Sequence, residues 1–334
     1  MKSLLNYNTF GIDQSCYAIY EPVTVEELQG MLPTLRREPL LVIGGGSNLL
    51  LTKDFEGNVL HPLIKGICTT EVPEDSGHIL LRCGAGEVWD DVVDYAVRNN
   101  YYGIENLSSI PGEVGASAVQ NIGAYGVEAK DVIYCIEAVR IETGEQVTLH
   151  GDDCGYAYRY SRFKGEWKGQ FVVTHVTYRL SHVFKPKIEY GNLKKVLLTN
   201  ITDINSVTAQ NVRNAVIAIR NSKLPDPKIE GNAGSFFMNP VVSREKYESL
   251  TRIYPDIPHY EAGDKVKIPA GWMIEQCGWK GKTIGKAGVH DKQALVLVNK
   301  GGAKGADIVC LCNAIRHDVY ERFGIEIKPE VNII

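Results

Sequence analysis

No run of apolar residues in this chain approaches the roughly 18 that a membrane-spanning helix needs, and the opening MKSLLNYNTFGIDQSC lacks the apolar core of a signal peptide. A cytoplasmic protein that does not enter the membrane is expected. Charge of one sign is also lacking: 36 Lys+Arg against 40 Asp+Glu leave a net charge of −4, without the basic field that holds nucleic acid. Eight scattered cysteines, at 16, 68, 83, 135, 154, 277, 310 and 312, include no Cys-x-x-Cys and fall short of a disulfide-stapled scaffold, so reduced thiols are expected. Cys310 and Cys312 fall on a predicted helix over 307–323. Positions two apart on a helix diverge by about 200°, so no shared metal ion is expected.

Nucleotide-binding signatures are missing as well. A strand runs into Gly44-Gly45-Gly46, but Leu49 stands where a Gly-x-G-x-x-Gly turn needs its third glycine, and Gly84-Ala85-Gly86 fails in the same way at Trp89. No Gly-x-x-x-x-Gly-Lys-Ser/Thr occurs, which excludes the phosphate loop of nucleoside triphosphatases. What remains is a chain of 334 residues, 44% hydrophobic and 23% charged, long enough for two or three modules with cores of their own.

Thr24 and Glu27 form a capping-box pattern, and Val25, Leu28, Leu32 and Leu35 predict a helix over 25–36. Leu40 to Ile43 reads as a buried strand. Ile79 to Arg82 reads as a second, followed by a helix with Val88, Val92, Tyr95 and Ala96 on one face. Strands are expected at 132–141 and 171–180, the latter with Val172, Val176, Tyr178 and Leu180 on one face. Ala209, Val212, Val216 and Ile219 predict a helix ending before Asn221. Lys223-Leu224-Pro225-Asp226-Pro227 then forces an extended link, and a module boundary is expected there. The last module carries a short helix near 271–277, a strand at 294–298 and the helix from 307, with Gly324 as its C′ cap.

Three segments point to chemistry. LSSIPGEVGASAVQNIGAYG at 107–126 is too rich in small residues to fill a core and must bring backbone close to something else; with Gly44 to Asn48 it could clamp a pyrophosphate, or both could be plain turns. Gly231 to Phe237 carries Ser235 at its apex. No Gly-x-Ser-x-Gly elbow and no evident histidine base accompany it, so a hydrolase is disfavoured. A serine that donates a proton needs a strongly basic acceptor, generated at contact distance. Tyr156 to Lys164, YAYRYSRFK, suits an anionic small molecule better than nucleic acid: Arg159 can fork onto a carboxylate, while Lys223, Lys265 and Lys267 are candidates toward phosphate. Glu330 lies in a tail that Pro329 and the surrounding alternation suggest is tied down.

Together, NTFGID, IGGGSNLLL at 43–51, SSIPGEVGASAVQNIGAYG at 108–126, YRYSRFK at 158–164, KLPDPKIEGNAGSFFMNP at 223–240, AGWMIEQCGWKG at 270–281 and KPEV at 328–331 resemble the UDP-N-acetylenolpyruvoylglucosamine reductase family. The resemblance implies an α+β fold of the FAD-binding, vanillyl-alcohol-oxidase-like class with a separate α/β substrate domain. It implies FAD subdomains at 1–68 and 69–220, the second rejoined by the tail 324–334, and a substrate domain at 221–323. It carries noncovalent FAD onto Gly45, Gly46, Ser47 and Asn48, and onto Ser109, Pro111, Gly112, Gly115, Asn121, Ile122 and Gly123.

The same resemblance makes Ser235 the proton donor and places Glu330 and Arg159 around the enolpyruvyl carboxylate. Tyr190, Lys223, Asn239, Tyr260 and Lys267 become substrate contacts, and Tyr190 with the 245–270 segment implies the longer subtype of the family. Met238 departs from the lysine many relatives carry there. The implied reaction is NADPH-dependent reduction of UDP-N-acetylglucosamine enolpyruvate to UDP-N-acetylmuramate in peptidoglycan precursor synthesis, by a cytoplasmic monomer with no metal, nucleic-acid or membrane partner. A sugar or alcohol oxidase of the same fold is the main alternative, and a silent flavin or nucleotide-sugar binding protein is another.

Overall fold

The computed structural model describes residues 1–72, 75–201 and 203–334. The chain divides into two compact units, one of residues 1–2, 16–45 and 56–222, the other of residues 3–15, 46–55 and 223–334.

In the first unit the helix Val25–Leu35 starts where its capping pattern predicts. Thr24 Oγ1 accepts the Glu27 N–H at 3.1 Å, and the Glu27 carboxylate accepts the Val23 N–H at 2.9 Å. Leu28, Leu32 and Leu35 are buried with Leu60, Val139 and Val172. Leu40–Val42 pairs in parallel with Phe55–Leu60. Of the buried strand expected over Leu40 to Ile43 only Ile43 is buried: the strand ends the sheet, so Val42 is exposed and Leu40 and Leu41 are half-buried.

Five antiparallel strands form the main sheet of this unit, in the order Gln146–His150, Ile133–Arg140, Phe171–Ser181, His78–Gly84 and Ile67–Glu71. Residues of helices Trp89–Arg98 and Val114–Gln120 share its core. Trp89 packs edge-on against Tyr178, with centroids 5.6 Å apart, and donates Nε1–H to the Leu107 carbonyl at 2.9 Å. The expected face of Val172, Val176, Tyr178 and Leu180 is broken. His175 pairs with Glu137 and Val173 with Ala138, which leaves Thr174 as an extra residue. That bulge reverses the alternation. Val172 therefore packs with Leu28 and Val139, while Val173 joins Val176, Tyr178 and Leu180.

The helix Ala209–Lys223 runs past Asn221, where it was expected to stop. The steric demand of Pro225 falls on Leu224, so the turn up to Lys223 can remain helical. The unit boundary falls at the next step, between Ser222 and Lys223.

In the second unit, Asn232–Ser235, Val296–Asn299, Ala287–Val289 and Thr283–Ile284 form a sheet in that order. The long helix Gly305–Phe323 buries Ile308, Leu311, Cys312, Ile315, Val319 and Phe323 in the same core, while Cys310 stays exposed. It ends as expected at Gly324, φ +59°, whose N–H bonds the Tyr320 carbonyl at 2.7 Å. The short helix is Ala270–Gln276. A small sheet orders Val241–Ser243, Lys265–Lys267 and Tyr260–Ala262. The tail 324–334 was expected to rejoin residues 69–220 but packs in the second unit instead. Asn332–Ile333 pairs in parallel with Leu49–Leu50, and Pro329 bridges to Phe237. No helix among the described residues is long and apolar enough to cross a membrane.

Candidate active site

The two glycine-rich turns of the first unit run side by side. A Cβ built on Gly45 would lie 3.7 Å from the Gly112 Cα, and one on Gly44 would lie 3.1 Å from Glu113 Oε2 and 3.3 Å from the Ala116 Cβ. Gly112 has φ +113°, Pro111 beside it is exposed, and Ser109 is left-handed at φ +61°. Gly115 opens the next helix against Ala85: its N–H bonds the Ala85 carbonyl at 2.8 Å, and a Cβ would meet the Ala85 Cβ at 3.0 Å. His61 braces this corner with Nε2 2.9 Å from Glu113 Oε1 and Nδ1 3.5 Å from Glu21.

Asn121 ends the helix in the left-handed region, φ +47°, fully buried. Its amide donates to Glu128 and to the Ala157 carbonyl at 2.8 Å each, and its oxygen accepts the Lys130 N–H at 3.0 Å. The side chain thus ties three neighbouring segments together. Ile122 continues this tie through its N–H to Ser117 and its carbonyl to Ala129. Gly123 serves Arg159. The Gly123 carbonyl accepts Arg159 Nη2–H at 2.8 Å, and a Cβ there would press on Nη1 at 3.1 Å.

Arg159 itself has φ +56°, in a tight turn closed by reciprocal hydrogen bonds of 3.0 Å between Ala157 and Tyr160. Such backbone strain in a residue with a Cβ is characteristic of functional sites. Tyr190 is 39% exposed and stands edge-on to Tyr125, with centroids 6.5 Å apart.

In the second unit, Ser235 ends the strand Asn232–Ser235 opposite Val296, after a register shift that includes Gly234 at φ +67°. The neighbouring Phe236 and Phe237 are fully buried and anchor the turn. Glu330 donates its N–H to the Phe236 carbonyl at 2.8 Å, and Met238 donates to the Lys328 carbonyl at 2.9 Å. Asn48 joins this corner: its Nδ2 lies 3.4 Å from the Glu330 carbonyl, and its own carbonyl accepts the Asn332 N–H at 3.2 Å. Gly46 and Ser47 precede it, and Gly46, φ +63°, accepts the Thr9 N–H at 3.2 Å.

The strand register sets Tyr260 directly opposite Lys267, bringing two expected substrate contacts together. Asn239 Oδ1 accepts the Ala270 N–H at 2.9 Å, at the start of helix Ala270–Gln276. Lys223 is exposed at the end of its helix.

The expected site residues therefore fall into two groups. Gly45, Ser109, Pro111, Gly112, Gly115, Asn121, Ile122, Gly123, Arg159 and Tyr190 belong to the first unit; Gly46, Ser47, Asn48, Lys223, Ser235, Asn239, Tyr260, Lys267 and Glu330 belong to the second. Residues 17–150 match a family model described as an FAD binding domain. Residues 226–334 match the model of the UDP-N-acetylenolpyruvoylglucosamine reductase C-terminal domain. The chain is 54% identical to the UDP-N-acetylenolpyruvoylglucosamine reductase of Bacteroides fragilis (strain YCH46) over 99% of its own length and 98% of that protein's. It belongs to the UDP-N-acetylenolpyruvoylglucosamine reductase family.

A relative of the same name from Porphyromonas gingivalis is 50% identical, over 98% of this chain and 96% of its own. The crystal structure of the reductase from Thermus caldophilus shares the fold, with TM-score 0.65 at 22% identity, covering 99% of this chain and 96% of that one. The fold is accordingly α+β, with the FAD-binding fold of this family and a separate C-terminal domain.

The residues present fit the flavin that this family binds. Gly44, Gly45 and Gly112 leave adjoining backbone without side chains, and a Cβ at Gly44 or Gly115 would press on a neighbour at 3.1 or 3.0 Å. Sequence reasoning missed His61, Glu113, Asp90, Arg213 and Arg220. The available signals were an acidic residue in a first helical turn and an arginine beside the core position Val212.

Proposed function

We propose that the chain catalyses NADPH-dependent reduction of UDP-N-acetylglucosamine enolpyruvate to UDP-N-acetylmuramate, with FAD held noncovalently by Gly45, Gly46, Ser47, Asn48, Ser109, Pro111, Gly112, Gly115, Asn121, Ile122 and Gly123. Bound FAD supplies a two-electron store that lets NADPH and the sugar nucleotide react in turn. Family membership over the full chain supports this reading, and the fastening of the tail beside Ser235 is the structural observation that carries it.

The roles follow from where charge goes. Hydride addition to the methylene carbon leaves negative charge on the adjoining carbon and its carboxylate. The Arg159 guanidinium pairs with that carboxylate, with Glu330 as hydrogen-bonding partner, and offsets the developing charge. Ser235 Oγ gives its proton to the adjoining carbon, a base strong enough to take it, so that one hydride and one proton saturate the double bond. Tyr190, Lys223 and Asn239 hold the substrate, and the Tyr260–Lys267 pair holds its diphosphate side. In this division of labour 1–68 and 69–220 serve FAD and 221–323 serves the sugar nucleotide. The chain acts as a cytoplasmic monomer.

Anaerobic stopped-flow spectroscopy at the flavin band, with NADPH and then the enolpyruvyl substrate added, tests the reading. NADPH should bleach the flavin and the sugar nucleotide should restore its colour with formation of UDP-N-acetylmuramate. A flavin that NADPH leaves oxidised, or that only oxygen reoxidises, would contradict it.

A further inference from the structure

Ser109 holds a left-handed backbone, φ +61°, which disfavours any residue with a Cβ. Both of its backbone groups are taken by charged side chains. Its N–H donates to Asp90 Oδ1 at 2.5 Å, and its carbonyl accepts from Arg220 Nε at 3.1 Å. Asp90 is gripped in turn by a two-pronged contact from Arg213, Nη1 to Oδ1 at 2.6 Å and Nη2 to Oδ2 at 3.0 Å; Arg213 Nε also reaches Asp94 at 3.2 Å.

Arg213 is buried, and Asp90 holds its carboxyl below the ordinary range: burial opposes this, but hydrogen bonds from Arg213 and the Ser109 N–H outweigh it. Asp90 and Asp94 are one turn apart on helix Trp89–Arg98, and Arg213 and Arg220 two turns apart on helix Ala209–Lys223. The network thus joins two helices to one turn. The rest of the segment hangs on the same helix start, through Trp89 Nε1–H to Leu107, the Trp89 N–H to Gly112 at 3.0 Å and the Val114 N–H to Glu87 at 2.9 Å.

We propose that Asp90 and Arg213 are positioning residues for the flavin, acting through Ser109: their ion pair fixes the turn 109–112 before FAD arrives. This rests on the reading of that turn as part of the FAD cradle. A ligand that meets a preformed turn loses less affinity to ordering it. With Arg213 removed, Asp90 is no longer aimed at the Ser109 N–H, Ser109 relaxes from its strained conformation, and FAD must re-form the turn on binding. A glycine at 109 adopts positive φ without the steric cost and therefore needs the ion pair less.

The test is titration of flavin-free protein with FAD, followed by quenching of flavin fluorescence, for wild type, Arg213→Met, Arg213→Lys, Ser109→Gly and the double variant Arg213→Met/Ser109→Gly. Arg213→Met should raise the FAD dissociation constant about tenfold, the size expected for one left-handed residue. Within the Ser109→Gly background, where the hydroxyl is missing from both proteins, Arg213→Met should cost no more than about twofold, and Arg213→Lys, which keeps charge but not the fork, should fall between wild type and Arg213→Met. An Arg213→Met protein that binds FAD as tightly as wild type overturns the proposal, as does an Arg213→Met loss that is just as large in the Ser109→Gly background. If Arg213→Met does not fold, Asp90→Ala, which removes the acceptor of the Ser109 N–H, replaces it, and an unchanged FAD affinity there overturns the proposal equally. Wild-type protein that takes up no FAD would instead sink the cofactor reading, so the two failures are distinct.

Discussion

The N–H of Glu330 bonds the carbonyl of Phe236 at 2.8 Å, which fastens a carboxylate four residues from the chain end to the residue that follows Ser235. A terminal segment held this way is not frayed. It is part of the turn that presents the serine.

Two variants separate the tail's structural and chemical parts. Deleting residues 328–334 removes the Phe237–Pro329 bridge and the pairing of Asn332–Ile333 with Leu49–Leu50, so it should lower the melting temperature by several degrees and abolish reduction of the sugar nucleotide. Glu330→Gln keeps the backbone bonds. It should melt within about 2 °C of wild type yet slow reduction of the enolpyruvyl group by about a hundredfold in single-turnover measurements. Equal activity of Glu330→Gln and wild type would return the carboxylate to a structural role.

Gly123 and Arg159 should behave as one unit. A methyl at Gly123 meets Nη1 of Arg159 at 3.1 Å, the Glu128 Cγ at 3.0 Å and the Val127 carbonyl at 3.0 Å. Gly123→Ala should therefore raise KM for the enolpyruvyl substrate by about tenfold, and Arg159→Lys should do the same through loss of the fork while leaving flavin reduction by NADPH within a factor of two. The double variant should lose little more than either single one. Losses that multiply would show that the two residues act independently.

His61 gives a pH signature. Burial pulls its pKa down, but the hydrogen bond and charge of Glu113, and then Glu21, outweigh it and leave the folded pKa above the ordinary value. The stabilisation is therefore fully present below the unfolded pKa of about 6.5 and fades as pH rises through the folded one. His61→Gln should lower the unfolding free energy by about 1–2 kcal/mol at about pH 6 and by much less at about pH 9, as read by denaturant titration. A deficit that grows with pH would contradict this.

Local signals in the chain carried far. The Thr24 cap and the Gly324 stop each rest on residues a few positions apart, and each is found; the tail is marked locally by Pro329, although the partners that tie it, Phe236 and Asn48, are distant in the chain. The misreadings are of pairing and packing. Nothing near Thr174 announces the bulge that sends Val172 and Val173 to different cores, because it depends on how the strand Ile133–Arg140 pairs across it. Leu40–Val42 reads as buried from its apolarity alone, whereas exposure depends on its place at a sheet end. Ser109 illustrates the limit most sharply: its conformation is tied to Asp90 and Arg220, 19 and 111 positions away. The resemblance supplied residue roles that spacing could not, but the anchoring of Arg159 on Gly123 appears only in three dimensions.

In the proposed mechanism Ser235 gives the proton that completes reduction of the sugar nucleotide. Anaerobic single-turnover rates of the two half-reactions in Ser235→Ala test it most directly. Flavin reduction by NADPH should stay within about twofold of wild type, and flavin reoxidation by the enolpyruvyl substrate should slow by at least about a hundredfold. Reoxidation at the wild-type rate with normal yield of UDP-N-acetylmuramate would contradict it.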